Sequence, residues 1–443
     1  MTTLGRASSD RSHPNPEVPM TDGQTEAAAA PLDASGLPLI GGPDFPIGIF
    51  WTPPPDQTTQ ARYQEIRDAG FTFVITGNYL DDGNIIGWAL QQADQVGLKV
   101  LISDDTQIRN LTRWFTISDD RSVPMSITTA DGRTLMQRAL DAYGGHPSFA
   151  GFNMFDEPWP DLFPSLGRAM GIARALRPSM LPYTNIAPDL GNPPGAYAQF
   201  VENFIQTVQP ALLSFDRYPI LSSGLDTGYF SNWATIRQAG LNHGLPTWTF
   251  IQSVGSNTFR ATNGAEMLWL INVSLAYGAK GIQYFTYWTP DPARGEGFGP
   301  AIIDLNGRRT ERYRAAQQIN TGWLSPVGRQ LKPLVSDQVS HFDDPAQADG
   351  VTAFAADDVL TAVSGDPVII GRFRSADPGD RTRWLLIVNR QYDRPASATL
   401  SPVPGRFGGI TQFDPRSGTY RQVQNDRITA SLSAGEAALY RLS

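Results

Sequence analysis

Between residues 45 and about 334 the chain alternates eight times between a short apolar run and a longer stretch with helical spacing. FPIGIFW (45–51) comes first. The stretch after it, QTTQARYQEIRDAG, repeats Ala61, Ile66 and Ala69 at helical spacing and closes on Gly70. The strand-like runs then recur as FTFVITGN (71–78), KVLISDD (99–105), FAGFNMFDEP (149–158), MLPYTNIAP (180–188), ALLSFDRYPI (211–220), LPTWTFIQSV (245–254) and GIQYFTYWTP (281–290). Alternation of strand and helix implies parallel strands. Eight such pairs over roughly 290 residues match the size of a (β/α)8 barrel. An open doubly wound sheet is the competing arrangement. It loses its best support because no G-x-G-x-x-G follows the first strand.

From about Val335 the texture changes. VLTAV, VIIGRF, TRWLLIVNR, ASATLSP, GGITQFD and AALYRLS are short strand-like runs broken by Gly, Pro, Asp and Asn, with no helical pattern between them. They predict a small antiparallel β-sandwich that extends the hydrophobic core. The domain reading is therefore a leader over 1–40, a (β/α)8 TIM barrel over 41–334 and a β-sandwich over 335–443. The leader is polar and rich in Pro and Ala, lacks the basic-then-apolar order of a signal peptide, and reads as disordered. With no signal in this chain the default compartment is the cytoplasm, and secretion stays open.

Composition narrows the chemistry. The chain has no cysteine, so disulfides, thiolate zinc sites and cysteine nucleophiles are excluded. Its four histidines, His13, His146, His243 and His341, are scattered and make no metal-ligand spacing, and no G-x-S-x-G marks a serine hydrolase. The reading calls for no metal and no other cofactor. A net charge of −8 argues against nucleic acid or an anionic membrane as partner. No apolar run reaches transmembrane length. Oligomeric state is not legible.

In a (β/α)8 barrel, chemistry sits where strands end and βα loops begin. FNMFDEPWP (152–160) then explains itself: an apolar strand delivers Asp156 and Glu157 to the barrel mouth, and Pro158 ends the ladder. Period-two alternation from Gly151 and Asn153 points Glu157 inward and Asp156 the other way. The remaining strand ends supply Trp51, Asn78, Asp104, Asp105, Asn185, Asp216, Tyr218, Gln252, Tyr287 and Trp288. Carboxylates, amides and large aromatics together suit a sugar, with rings against pyranose C–H faces and polar groups on hydroxyls. Trp51, Trp159 and Trp288 are the candidate platforms, whereas Phe250 and Phe285 read as core. The Gly-rich loop DPARGEGFG (291–299) reads as shaping or gating the pocket.

The order of elements, Glu157-Pro158 after the fourth strand and Trp288 after the eighth resemble the clan A glycoside hydrolases. SFDRYPI, LPTWTFIQS, SLAYGAKGIQYFTYW and IIDLNGRRTERY resemble a bacterial, β-galactosidase-like subgroup with D-E-P in place of N-E-P. The resemblance spans roughly residues 45–334. It implies a glycosidase acting on an oligo- or polysaccharide, with Glu157 as general acid/base. It also implies a nucleophilic Glu at the seventh strand, where this chain carries Gln252. The second carboxylate must then come from elsewhere. Asp216, with Ser214 on its side of the strand, is the first choice, followed by Asp104, Asp105, Glu266 and Asp291. Trp51, Asn78, Asp104, Asp105, Asp156, Asn185, Tyr218, Gln252 and Trp288 are expected at the substrate. Gln252 also motivates an alternative, a non-catalytic carbohydrate-binding barrel. Lyase or transglycosylase chemistry on the same fold is a further one. Retaining versus inverting action depends on a carboxyl separation that sequence does not supply.

Overall fold

A computed structural model describes residues 34–193, 195–345, 348 and 350–443. Eight parallel strands follow one another around the barrel: β1 Ile47–Phe50, β2 Phe73–Ile75, β3 Lys99–Ile102, β4 Phe149–Asp156, β5 Leu181–Asn185, β6 Leu213–Asp216, β7 Thr247–Gln252 and β8 Gly281–Phe285. The ladder runs β5-β4-β3-β2-β1-β8-β7-β6. Its two ends meet through a parallel bridge from Ile186 to Phe215, with the Ile186 N–H donated to the Ser214 carbonyl at 2.8 Å, so the barrel closes. Closure leaves no bare strand edge.

The outer ring is α1 Gln60–Asp68, α2 Gly83–Val96, α3 Thr129–Tyr143, α4 Phe163–Leu176, α5 Ala196–Val208, α6 Gly228–His243, α7 Gly264–Ala276 and α8 Glu311–Ile319. A wide turn, Asn320–Leu324, continues into α9 Ser325–Leu331. Several ends follow sequence rules. Thr128 and Asp131 form a capping box at α3, and Asn263 and Glu266 form one at α7. Gly97 and Gly244 end α2 and α6 in the left-handed conformation.

Two sets of side chains fill the barrel. Phe73, Ile75, Leu101, Ala150, Leu181, Tyr183, Trp248 and Phe250 pack in the lumen, and the opposite strand faces pack on the helices. Gly151 belongs where β4 and β5 come closest. A Cβ there would lie 1.9 Å from the Leu181 carbonyl oxygen, which no side chain tolerates. Residues 34–40, read from sequence as part of the leader, instead pack under the barrel floor, with Leu37 buried against the lumen cluster. An apolar contact of that kind holds a segment that composition alone marks as loose. The rest of the expected leader, 1–33, lies outside the described residues.

Among the described residues, nine antiparallel strands come after α9: β9 Val335–Phe342, β10 Leu360–Gly365, β11 Val368–Arg374, β12 Arg383–Asn389, β13 Ala396–Pro402, β14 Ile410–Asp414, β15 Thr419–Gln422, β16 Ile428–Leu432 and β17 Ala437–Leu442. They make a six-stranded sheet, β9-β11-β12-β17-β14-β15, facing a three-stranded sheet, β10-β13-β16. Val368, Ile370, Leu385, Ile387, Leu400, Ile428 and Tyr440 fill the space between them. The other face of the larger sheet packs on α7. There the Asn272 amide donates to the Gly435 carbonyl at 2.9 Å and the Trp269 indole donates to the Arg390 carbonyl at 3.2 Å. Helix α7 is thus apolar nearly all round because barrel and sandwich both cover it.

Candidate active site

Strand β4 carries one extra residue against β5. Asn153 lies opposite Tyr183, Phe155 opposite Thr184 and Asp156 opposite Asn185. A bulge of this kind resets side-chain alternation. Simple alternation put Glu157 inward and Asp156 outward. With the bulge, Asp156 takes the lumen parity of Asn185. Glu157 then leaves the strand with φ at 52°, its N–H donated to the Asn185 carbonyl at 2.9 Å. Both carboxyls of the D-E-P triplet therefore reach the mouth, where both act on Asp216.

Asp216 ends β6 on top of a hydrogen-bonded column that rises through the lumen. The Gln283 amide donates to the Tyr183 hydroxyl at 3.0 Å and to Ser214 Oγ at 3.1 Å. Tyr183 and Ser214 are 2.8 Å apart. Ser214 Oγ donates to Asn185 Oδ1 at 2.9 Å, and Asn185 Nδ2 donates to Asp216 Oδ1 at 2.8 Å. Each group spends its donor on the next one up, which leaves Tyr183 as the donor to Ser214. The column ends by presenting an N–H to the carboxyl.

That bond favours the ionised acid, and the surroundings oppose it. Burial raises the Asp216 carboxyl well above the usual range, and the charges of Glu157 and then Asp156 raise it further. The Glu157 carboxyl and the Tyr218 hydroxyl both lie close enough to Asp216 to act on it. Burial and the two neighbouring acids favour the protonated form of Asp216. Asp156 is pushed up to about 7, by burial first and by the Glu157 charge second, with Arg113 opposing. The residue nevertheless keeps water-accessible surface, so hydration offsets part of the burial effect. Three acids thus compete in one mouth, and they do not all ionise at neutral pH.

The structure disperses the other sequence candidates. Arg217, next to Asp216, turns to Asp226 at 2.8 Å, so it does not neutralise the pair. Gln252 is fully buried. Its oxygen accepts the Ile220 N–H at 3.1 Å, and its amide donates to the carbonyls of Ile220 and Arg260. It clamps the loops after β6 and β7. Asp105 caps the helical turn Thr106–Arg109 and accepts the Tyr143 hydroxyl at 2.8 Å, which commits both oxygens to the fold. Asp104 pairs with Arg109 at 3.3 Å and Arg113 at 3.4 Å. Asn78 donates to the Thr52 carbonyl at 3.0 Å. Glu266 is bound into the α7 capping box and to Arg260, and Asp291 caps Pro292–Arg294 while accepting the Tyr79 hydroxyl at 3.1 Å.

Aromatic surfaces are unevenly free. Trp51 is covered on one face by the Arg294 guanidinium, 4.3 Å from the ring centre, and a Cβ on Gly77 would strike the ring at 2.3 Å. Loop 291–299 reaches Trp51 through Arg294. Phe298 of the same loop packs on Phe285, and Tyr218 stacks on Phe285 at 5.3 Å. Trp288 is buried with Arg62 over its ring at 5.3 Å. Trp159, two residues past Glu157, is 59% exposed and stands edge-on to Phe155. Sequence reasoning missed Arg113, Arg294, Tyr183 and Gln283. Gln283 carried a signal: it is the lone amide in the strand GIQYF.

Two cavities flank this geometry. The larger, about 460 Å3, lies at the opposite end of the barrel, around Trp248, Lys280 and Leu334. Burial first, and Lys332 second, push the Lys280 ammonium down to about 7, and it donates to the carbonyls of Leu331 (2.7 Å) and Leu334 (2.5 Å). That cavity is far from the carboxyls in the fold and its lysines are committed to backbone. The smaller, about 350 Å3, opens on the mouth beside Tyr79 and Trp288. Among the described residues no cluster of three or more His, Asp or Glu is arranged to hold a metal ion, and no helix is long and apolar enough to cross a membrane.

No family profile and no curated relative matches the chain. Solved structures do. A β-galactosidase from Bacillus circulans sp. alkalophilus superposes with a TM-score of 0.60 at 9% identity, over 90% of this chain and 99% of that one. A glycoside hydrolase family 5 protein from Bacteroides vulgatus ATCC 8482 gives 0.51 at 11% identity, over 90% and 88%. At such identities the likeness establishes the fold alone.

Proposed function

We propose that this protein is a glycosidase that cleaves an O-glycosidic bond in an oligo- or polysaccharide with the carboxyl pair Glu157 and Asp216. The observation that carries the reading is the Asp216 carboxyl on its lumenal column beside Glu157 at the barrel mouth, where burial and the Glu157 and Asp156 charges favour its protonated form. One acid charged and one protonated is the pairing glycoside cleavage needs. The fold likeness to glycoside hydrolases and the exposed Trp159 beside Glu157 support the same conclusion.

The resemblance implied that Glu157 is the acid. The electrostatics favour the reverse assignment. Asp216 gives its proton to the glycosidic oxygen as the anomeric C–O bond breaks, and ionised Glu157 attacks the anomeric carbon to form a glycosyl ester. Water then attacks that ester, Asp216 takes the water's proton, and Glu157 leaves as carboxylate. Inverting enzymes hold their carboxyls about 6.5–9.5 Å apart to admit a water, and retaining ones about 5–5.5 Å. Carboxyls close enough to shift one another belong with the closer class, so we propose retention. Asn185 and Tyr218 hold Asp216, and Trp159 offers a platform. Gln252, which had suggested a binding-only barrel, is part of the wall, and β6 supplies the second acid.

Leaving-group dependence tests the assignment. Asp216→Asn should lose about 10³-fold on an alkyl or sugar leaving group and far less on a nitrophenolate, which departs without a proton. Glu157→Gln should lose activity on both. Equal losses of Asp216→Asn on the two leaving groups would refute the roles.

A further inference from the structure

Both sides of the mouth carry sugar-type surfaces. The carboxyls stand at the ends of β4 and β6, with Asn185 of β5 between them. The 350 Å3 pocket is built from the loops after β1, β2 and β8. In a closed eight-strand ring β1 lies across from β5. Eight strands about 4.8 Å apart and tilted by about 36° give a barrel roughly 15 Å wide. One sugar ring does not reach from one site to the other.

The pocket wall has two textures. Tyr79, 56% exposed, the edge of Trp288 and the exposed Leu305 supply apolar surface. Asp56, Gln57, Asp291 and Asn306 supply oxygens and amides. The Tyr79 hydroxyl is tied to Asp291 at 3.1 Å, which fixes the ring across the gap between two loops. No described Lys, Arg or His lines the pocket. Arg62, which reaches Gln57 at 3.4 Å, is itself paired with Glu65 at 3.0 Å. An anionic sugar placed here would face two carboxylates, and Arg294, whose charge reaches Tyr79, is held by Glu296 at 3.0 Å.

We propose that this pocket is a binding subsite for a neutral pyranose unit of the same chain that is cut at Glu157 and Asp216. The substrate is then an uncharged oligo- or polysaccharide lying across the mouth, with several units engaged at once. This rests on the glycosidase reading above. Apolar faces take the C–H surface of the ring, and the acids and amides take its hydroxyls.

The test pairs kinetics with binding. The probes are cello-, xylo-, manno- and laminarihexaose, hexagalacturonate, and the nitrophenyl monosaccharide matching whichever hexaose is cut. Tyr79→Ala and Asn306→Ala should each lower the ratio of hexaose to nitrophenyl-glycoside kcat/KM about tenfold, through KM. An unchanged ratio overturns the subsite. Calorimetry on Glu157→Gln separates this from the hydrolytic reading. A neutral hexaose that binds, and binds about tenfold more weakly once Tyr79→Ala is added, upholds the pocket even where the wild type shows no turnover. Binding indifferent to Tyr79→Ala, no binding by any neutral hexaose, or tighter binding of hexagalacturonate overturns it.

Discussion

Removing the amide that crowns the lumenal column is the most informative single perturbation. Asn185 Nδ2 donates to Asp216 Oδ1 at 2.8 Å, and this bond is what opposes the upward shift of that carboxyl. A hydrogen bond to a charged group contributes about 1.5–3 kcal/mol. Its loss in Asn185→Ala should raise the Asp216 value further. If Asp216 acts as the acid, activity dies on the alkaline side as it ionises, so the alkaline limb of kcat/KM should move up. The maximum should fall about tenfold as the carboxyl loses its support. Ser214 Oγ also loses its acceptor, so stability should drop by about 1–3 kcal/mol. Steady-state pH profiles and urea melts measure both. An alkaline limb that stays in place, or an acidic limb that moves instead, refutes the assignment of the proton to Asp216.

The unusual protonation of the mouth should also show in stability. Asp156 has a folded value of about 7 against an ordinary 3.8, so the folded protein binds the extra proton in that window and stability falls as pH rises through it. Asp156→Asn should therefore be more stable than wild type at pH 8, by about 1 kcal/mol after discounting for the residue's exposure, with the gain gone near pH 4 in urea melts. Gln252→Glu puts an acid where the resemblance wants a nucleophile, but it puts a carboxylate against the Ile220 and Arg260 carbonyls. It should cost about 2–4 kcal/mol and add no activity, read by urea melts and reducing-end release. A gain in turnover would show that β7, not β6, supplies the second acid.

The alternation of strands and helices was legible because period two and period 3.6 are local properties of the chain. FTFVITGN, MLPYTNIAP and GIQYFTYWTP each contain the strand they announced, and the change of texture at Val335 is where β9 begins. Asp216 was legible too, from its place after Ser214 on an inward face. Asp156 was not, because one inserted residue in β4 reverses its direction, and a bulge leaves no mark in FNMFDEP. Gln252 misled for a different reason: strand order located it, but its amide partners, Ile220 and Arg260, lie in loops whose course no periodicity describes. Trp51 looked like a free platform until loop 291–299 laid Arg294 on it. Residues 34–40 show the reverse case, read with a polar leader yet anchored by buried Leu37 with Ala34, Leu39 and Ile40 packed on the same cluster.

The central claim is that Glu157 and Asp216 together cut a glycosidic bond. Release of new reducing ends from the neutral hexasaccharides, followed with wild type, Glu157→Gln and Asp216→Asn at matched thermal stability, tests it most directly. Wild type should release them, and each variant should do so about 10³-fold more slowly. Release at the wild-type rate by either variant, or by none of the three proteins, would contradict it.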